Sequence, residues 1–180
     1  MKKGFIICGY PGIGKSSIAG WNNCIDLESS YFSRILLPGE YTSDLSKYDK
    51  WVIQYCRVAM DLAMQGYTVL TSTHEQVIKY FIEHTQGTKL SPSLRGVVVF
   101  CPDHRYKPEW IERLNNRLRQ DATDHLSTDI LEKDLRALRR AIEHFDEDIY
   151  FLYNCGLSVY IPGYMNYDLK DQITAIRFDR

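Results

Sequence analysis

The sequence is short of several things, and each shortage narrows what the chain can be. Its five cysteines, Cys8, Cys24, Cys56, Cys101 and Cys155, are odd in number and contain no C-x-x-C pair. That argues against a disulfide framework and a structural zinc site. Cys8, Cys24 and Cys101, in or beside expected strands, read as small buried hydrophobes, and the cytoplasm is the expected compartment. No apolar run approaches the roughly 20 residues of a membrane helix. The apolar stretch after the basic Met1-Lys2-Lys3-Gly4 is too short for a secretory signal. Charge of one sign is also missing: 22 Lys and Arg face 23 Asp and Glu, for a net charge of -1. The molecule as a whole therefore has no pull toward nucleic acid or anionic membrane, and any such contact would rest on a local patch. There are 13 tyrosines, but no aromatic spacing suggests a base-stacking platform. With no internal repeat, low-complexity tract or long linker, residues 1–180 read as a single domain, long enough for one α/β core.

What is present is concentrated near the start. Gly9-Tyr10-Pro11-Gly12-Ile13-Gly14-Lys15-Ser16 satisfies G-x-x-x-x-G-K-[ST] at every fixed position. The apolar run Gly4-Phe5-Ile6-Ile7-Cys8 before it reads as a strand, and Lys15-Ser16-Ser17-Ile18-Ala19 after it as the opening of a helix. Strand, glycine loop, helix is the context this pattern needs. Glycines let the chain bend so that backbone N–H groups converge on one anion. The expected cradle for a nucleotide's phosphates is Gly9, Pro11, Gly12, Ile13, Gly14, Lys15, Ser16 and Ser17. In it Lys15 reaches the β- and γ-phosphates, and the Ser16 hydroxyl ligates Mg²⁺.

Along the chain, strands alternate with helices. A short first helix closes at Gly20-Trp21-Asn22-Asn23, and Cys24-Ile25-Asp26-Leu27 reads as a second strand. A polar loop or short helix runs from Glu28 to about Asp44. Leu45, Tyr48, Val52, Tyr55, Val58, Ala59 and Leu62 recur at helical steps, predicting a helix from about Asp44 to Gln65. Tyr67–Thr71 is a strand and His74–His84 a helix. Val97-Val98-Val99-Phe100-Cys101, apolar on both faces, has the pattern of a central parallel strand. Pro108 introduces a basic helix to about Gln120, and a further helix spans about Thr128 to Phe145. Leu157–Ile161 is the fifth strand and Asp168–Ile176 a closing helix. The alternation predicts an α/β fold, a parallel sheet covered on both faces.

Asp26 and Glu28 fall on one face of the second strand's end, where a parallel α/β sheet collects its ligands. Two carboxylates there suit a magnesium-held water and the proton of an attacking hydroxyl; a solvated acidic turn is the alternative. A P-loop, a short helix and then Asp26-Leu27-Glu28-Ser29-Ser30 resembles the small nucleotide and metabolite kinases of adenylate-kinase-like fold. The D-L-[DE]-S-S run is similar to that of small phage and bacterial P-loop kinases. The resemblance is specific over about the first thirty residues. It implies the P-loop NTPase three-layer sandwich, with a five-stranded sheet of order 2-3-1-4-5 and phosphoryl transfer from ATP. It implies Asp26 as the catalytic or metal-water carboxylate and Glu28 as a substrate or metal contact. The chain departs from many P-loop NTPases at Thr71-Ser72-Thr73-His74, where no Walker B aspartate follows the third strand.

A second constellation is cationic. Arg113, Arg117 and Arg119, with Lys107 upstream, fall in the helix after the fourth strand, and Arg113 and Arg117 share a face. The resemblance implies a lid near residues 105–125, whose arginines neutralise the transferring group; alone, the pattern is that of a solvated helix face. Arg136, Arg139 and Arg140 read as surface. Arg34, Arg57 and His74 are candidate acceptor contacts, with surface or capping roles as alternatives. Tyr164, after the fifth strand, falls where the resembled fold cradles adenine.

The expected function is an ATP- and Mg²⁺-dependent phosphotransferase acting on a small acceptor, a nucleotide or nucleoside, with no membrane partner. The alternatives are a polynucleotide-end kinase, which would want a basic channel, and an ATP-binding module without turnover. A GTPase-type switch is excluded, since D-x-x-G and N-K-x-D are both absent.

Overall fold

The computed structural model describes residues 4–35, 48–85, 94–121, 128–162 and 167–178. Its centre is β1 (Gly4–Gly9), buried along its whole length. β1 pairs with β3 (Thr68–Thr71) on one side and β4 (Leu94–Phe100) on the other. β2 (Cys24–Asp26) lies outside β3 and β5 (Ser158–Tyr160) outside β4. All four pairings are parallel, and the order is β2-β3-β1-β4-β5. Helices cover both faces. This is the expected α/β fold and strand order. It also brings the carboxyl ends of β1, β2 and β3 together, because neighbouring parallel strands end at the same edge of the sheet.

The helices are α1 (Ser29–Ile35), α2 (Lys50–Met64), α3 (Glu75–Thr85), α4 (Lys107–Asp121), α5 (Thr128–Glu143), α6 (Phe145–Asn154) and α7 (Leu169–Phe178). In α2, Val52, Tyr55, Cys56, Ala59 and Ala63 form the buried stripe that its periodicity predicts. Four of the five cysteines are buried, Cys155 is half-buried, and all are free thiols. Burial pushes the Cys8 thiol up to about 12, so it stays protonated at physiological pH. Among the described residues, no helix is long and apolar enough to cross a membrane.

Two elements differ from expectation. The helix after the glycine loop is one turn of 3₁₀ helix, Lys15–Ile18, followed by another at Trp21–Asn23. Left-handed Asn22 and Asn23 (φ 46° and 63°) then turn the chain into β2. The second difference is α6, which the sequence pattern did not separate from α5. His144 leaves helical geometry (φ -107°, ψ 25°), and Phe145 starts a new helix with Asp146, Glu147 and Asp148 in its first turn. Those acids suit the positive end of a helix, which favours a fresh start over continuation.

Candidate active site

The glycine loop leaves β1 at the middle of the sheet, and local geometry explains its residues. Gly12 and Gly14 have φ of 85° and 91°, left-handed values that strain any residue with a Cβ. A Cβ on Gly12 would also press Leu114 of α4 at 3.1 Å. The loop closes on itself through Ile13 N–H to Tyr10 C=O (3.3 Å) and Ser17 N–H to Gly14 C=O (3.2 Å). Lys15 donates to the Gly9 carbonyl at 2.7 Å, which brings its ammonium back over the end of β1. Burial lowers the Lys15 pKa, and the nearby Asp26 and Glu28 carboxylates oppose that shift.

The loop opens onto a cleft of about 710 Å³. One wall carries Lys15, Ser16, Asp26 and Glu28, with Ser72 to Glu75 beside them. The other is built from α5 and α6, with Arg140, His144, Glu147 and Asp148 facing in and Phe151 at their side. Asp26 is half-buried, and its Oδ1 has no hydrogen-bond partner. Burial pushes the Asp26 carboxyl from 3.8 up to about 6, aided by Glu28 and opposed by Lys15 and Arg117.

A buried carboxylate oxygen left unsatisfied in a cleft is the kind of atom whose bonding a ligand or ion can complete. The donor set fits magnesium. The cation takes one or two protein oxygens and fills its remaining positions with water and phosphate, and Ser16 and Asp26 supply such oxygens. Among the described residues, no group of three or more His, Cys, Asp or Glu gathers into an all-protein metal cage. Thr71, at the end of β3, turns inward to the Ile7 carbonyl and Cys8 sulfur. The acid near the loop therefore comes from β2.

The other expected site residues are placed as follows. His74 lines the cleft, exposed, with its ring edge-on to Trp51 at 5.6 Å. Arg117 lines it from α4. Arg113 points behind the loop, onto the Gly12 carbonyl at 3.4 Å. Arg119 and Arg57 are exposed on α4 and α2 and stand apart from the described cleft lining, each off the helix face that packs inward. Ile13 is buried in the core, and the exposed Ser17 donates its hydroxyl to the Gly14 carbonyl at 2.7 Å. Arg34 belongs to α1, but its side chain lies outside the described residues, as does Tyr164 altogether.

Sequence reasoning missed three contributors. Arg140 is exposed, as expected, but the surface it stands on is that of the cleft, which it lines with His144. Its partner elements became visible only once α5 and α6 were separate helices. Tyr55 is fully buried in α2, accepts from Ser72 N–H (2.9 Å) and donates to the Leu27 carbonyl (2.7 Å). It ties together the ends of β2 and β3, and its place in a helical stripe showed only an apolar body. Tyr10 is nominally a free position of the loop pattern. It is buried, donates to the Ala141 carbonyl (2.9 Å) and meets Phe145 edge-on at 5.8 Å, docking the α5–α6 wall on the loop.

No protein-family model and no curated protein sequence matches this chain. Among solved structures, it is similar to the tunicamycin resistance protein of Deinococcus radiodurans. The match covers 98% of this chain and 95% of that one, with a TM-score of 0.52 and 15% sequence identity. At that identity the likeness is one of fold alone: from end to end, the chain shares the α/β architecture of that protein.

Proposed function

We propose that the protein is an ATP-dependent phosphotransferase that phosphorylates a hydroxyl of a small acceptor carrying no phosphate of its own, a nucleoside being the leading class. The observation that carries this is one cleft holding both the glycine loop with Lys15 and the unpartnered Asp26 Oδ1. The loop amides and Lys15 bind and orient the β- and γ-phosphates. Ser16 and Asp26 would hold Mg²⁺, directly or through water, and the ion would supply charge neutralisation on the phosphates. The acceptor lies between the Glu28–His74 side and the α5–α6 wall. Its oxygen attacks the γ-phosphorus as the bond to the ADP oxygen breaks, and its proton passes to the carboxylate pair Asp26 and Glu28. Arg117 and Arg140 reach into the cleft with positive charge for the group in flight.

The charge of the cleft favours the unphosphorylated acceptor. Its described lining carries the carboxylates of Asp26, Glu28, Glu75, Glu147 and Asp148 against the cations of Lys15, Arg117 and Arg140. Lys15 is committed to ATP, so a nucleoside monophosphate would bring a second anion with few cations to meet it. A neutral or cationic molecule with hydroxyls meets hydrogen-bond acceptors instead.

The test is ADP release measured across nucleosides, nucleoside monophosphates and small sugars, with Lys15→Ala as control. Turnover is expected with an unphosphorylated acceptor. Lys15→Ala should lower it about 100-fold or more while leaving the circular dichroism spectrum unchanged. Full activity in Lys15→Ala would remove the loop from the mechanism, and turnover confined to monophosphates would overturn the acceptor class.

A further inference from the structure

The backbone carbonyls of Pro11, Gly12 and Ile13, three in a row, each accept a hydrogen bond from a different distant side chain. Trp110 Nε1–H donates to Pro11 (3.2 Å), Arg113 to Gly12 (3.4 Å) and the Tyr167 hydroxyl to Ile13 (3.1 Å). The three donors are themselves one cluster. The Trp110 and Tyr167 rings lie nearly parallel (7°) with centroids 6.4 Å apart, and the Arg113 guanidinium sits 5.0 Å and 5.9 Å from them. The Arg113 guanidinium also bears on the Tyr167 hydroxyl.

We propose that Trp110, Arg113 and Tyr167 are positioning residues that aim the phosphate-binding amides of the glycine loop from behind. In a trans peptide the C=O of one residue and the N–H of the next lie in one plane and point in opposite directions. Holding the carbonyls of residues 11 and 13 on one side therefore turns the N–H groups of Gly12 and Gly14 to the other, while the N–H that follows the Gly12 carbonyl, that of Ile13, closes the loop on Tyr10. The donors lie behind the loop. The cleft is lined by Gly9, Pro11, Gly12, Gly14, Lys15 and Ser16 from the loop, and not by Trp110, Arg113 or Tyr167.

A clamp of this kind has a physical use here. Short 3₁₀ turns, Lys15–Ile18 and then Trp21–Asn23, follow the loop, so there is no long helix whose dipole and first-turn amides could fix the anion site. The orientation comes instead from side chains about 100 and 154 positions along the chain. Binding the phosphates then requires little ordering of the loop, which is how preorganisation raises affinity. In this role Arg113 acts on the loop and does not meet the transferring group, unlike Arg117 one turn further along α4.

The inference rests on residues 9–16 being the phosphate cradle, and the experiment separates the two. ATP affinity is measured by calorimetry on wild type, Lys15→Ala, Tyr167→Phe, Arg113→Lys and the double variant, with melting temperature recorded alongside. Tyr167→Phe keeps the ring and removes one hydroxyl. It should weaken ATP binding roughly threefold to tenfold, the worth of one hydrogen bond, while the KM for the acceptor stays within twofold. Arg113→Lys, which keeps the charge and loses the planar fork, should weaken it comparably. The double variant should lose less than the product of the two, since they share one network. Wild-type affinity in both single variants, with Lys15→Ala impaired, overturns the clamp and leaves the cradle standing. Absence of ATP binding in wild type overturns both together. A fall in melting temperature with unchanged ATP affinity would assign the three residues to packing and also overturn the proposal.

Discussion

Asp26 stands between two demands. Its Oδ1 is buried without a partner, and burial raises the carboxyl from 3.8 to about 6. A carboxyl whose folded value lies above its unfolded one binds protons more tightly when folded. The metal-free protein therefore loses stability as pH rises from about 4 through about 6, and the cost is complete above that range. A shift of that size corresponds to about 3 kcal/mol for a fully buried group, and partial exposure reduces it to roughly 1–2 kcal/mol. Asp26→Asn should thus raise the melting temperature in EDTA at pH 8, with the gain shrinking toward pH 4, while abolishing turnover. An equal gain at both pH values would detach the effect from ionisation. Tyr55 poses the opposite case. Tyr55→Phe keeps the buried ring but deprives Ser72 N–H and the Leu27 carbonyl of their partner. Urea unfolding should show a loss of about 1–3 kcal/mol.

At the scale of elements, the most legible parts were those whose local pattern and tertiary role agree. The run Val97–Cys101 is apolar on both faces, and all of it but Cys101 lies in β4 (Leu94–Phe100), flanked by β1 and β5. The 9–16 pattern became a left-handed glycine turn because it is nearly all backbone chemistry. The α5–α6 wall was illegible for a physical reason. Nothing in the apolar spacing of Leu135, Leu138 and Ile142 marks His144 as a break, since no proline or glycine stands there. The bend is set by Tyr10, which fixes the Ala141 carbonyl on one side and the Phe145 ring on the other. Those contacts are non-local and leave no period in the sequence. They also predict a consequence. Phe145→Ala should cost about 3–5 kcal/mol and loosen the wall that carries Arg140 and His144. Its KM for the acceptor should rise more than its KM for ATP, measured on the folded fraction at low temperature. A parallel rise in both would mean that the wall serves the whole cleft equally.

Taken whole, the molecule carries almost no net charge, and that bears on which acceptors can reach the cleft. Steering of a polyanion depends on a field summed over the surface, and here 22 cations are matched by 23 anions. The local picture has the same sign. The described cleft lining holds more carboxylates than cations, so among the described residues no basic channel leads a phosphodiester backbone toward Lys15. Affinity for nucleic acid comes mainly from neutralised phosphates and falls steeply with salt in proportion to their number. A single-stranded oligonucleotide with a 5′-hydroxyl should therefore bind weakly at low salt, with a slope of log K against log salt near zero. It should also accept no phosphate from ATP under conditions in which a free nucleoside does. A slope corresponding to about three or more phosphate contacts, with phosphorylation of the oligonucleotide end, would move the acceptor from small molecule to polynucleotide. The glycine loop and Asp26 would keep their roles in either case, because the donor side of the reaction is the same.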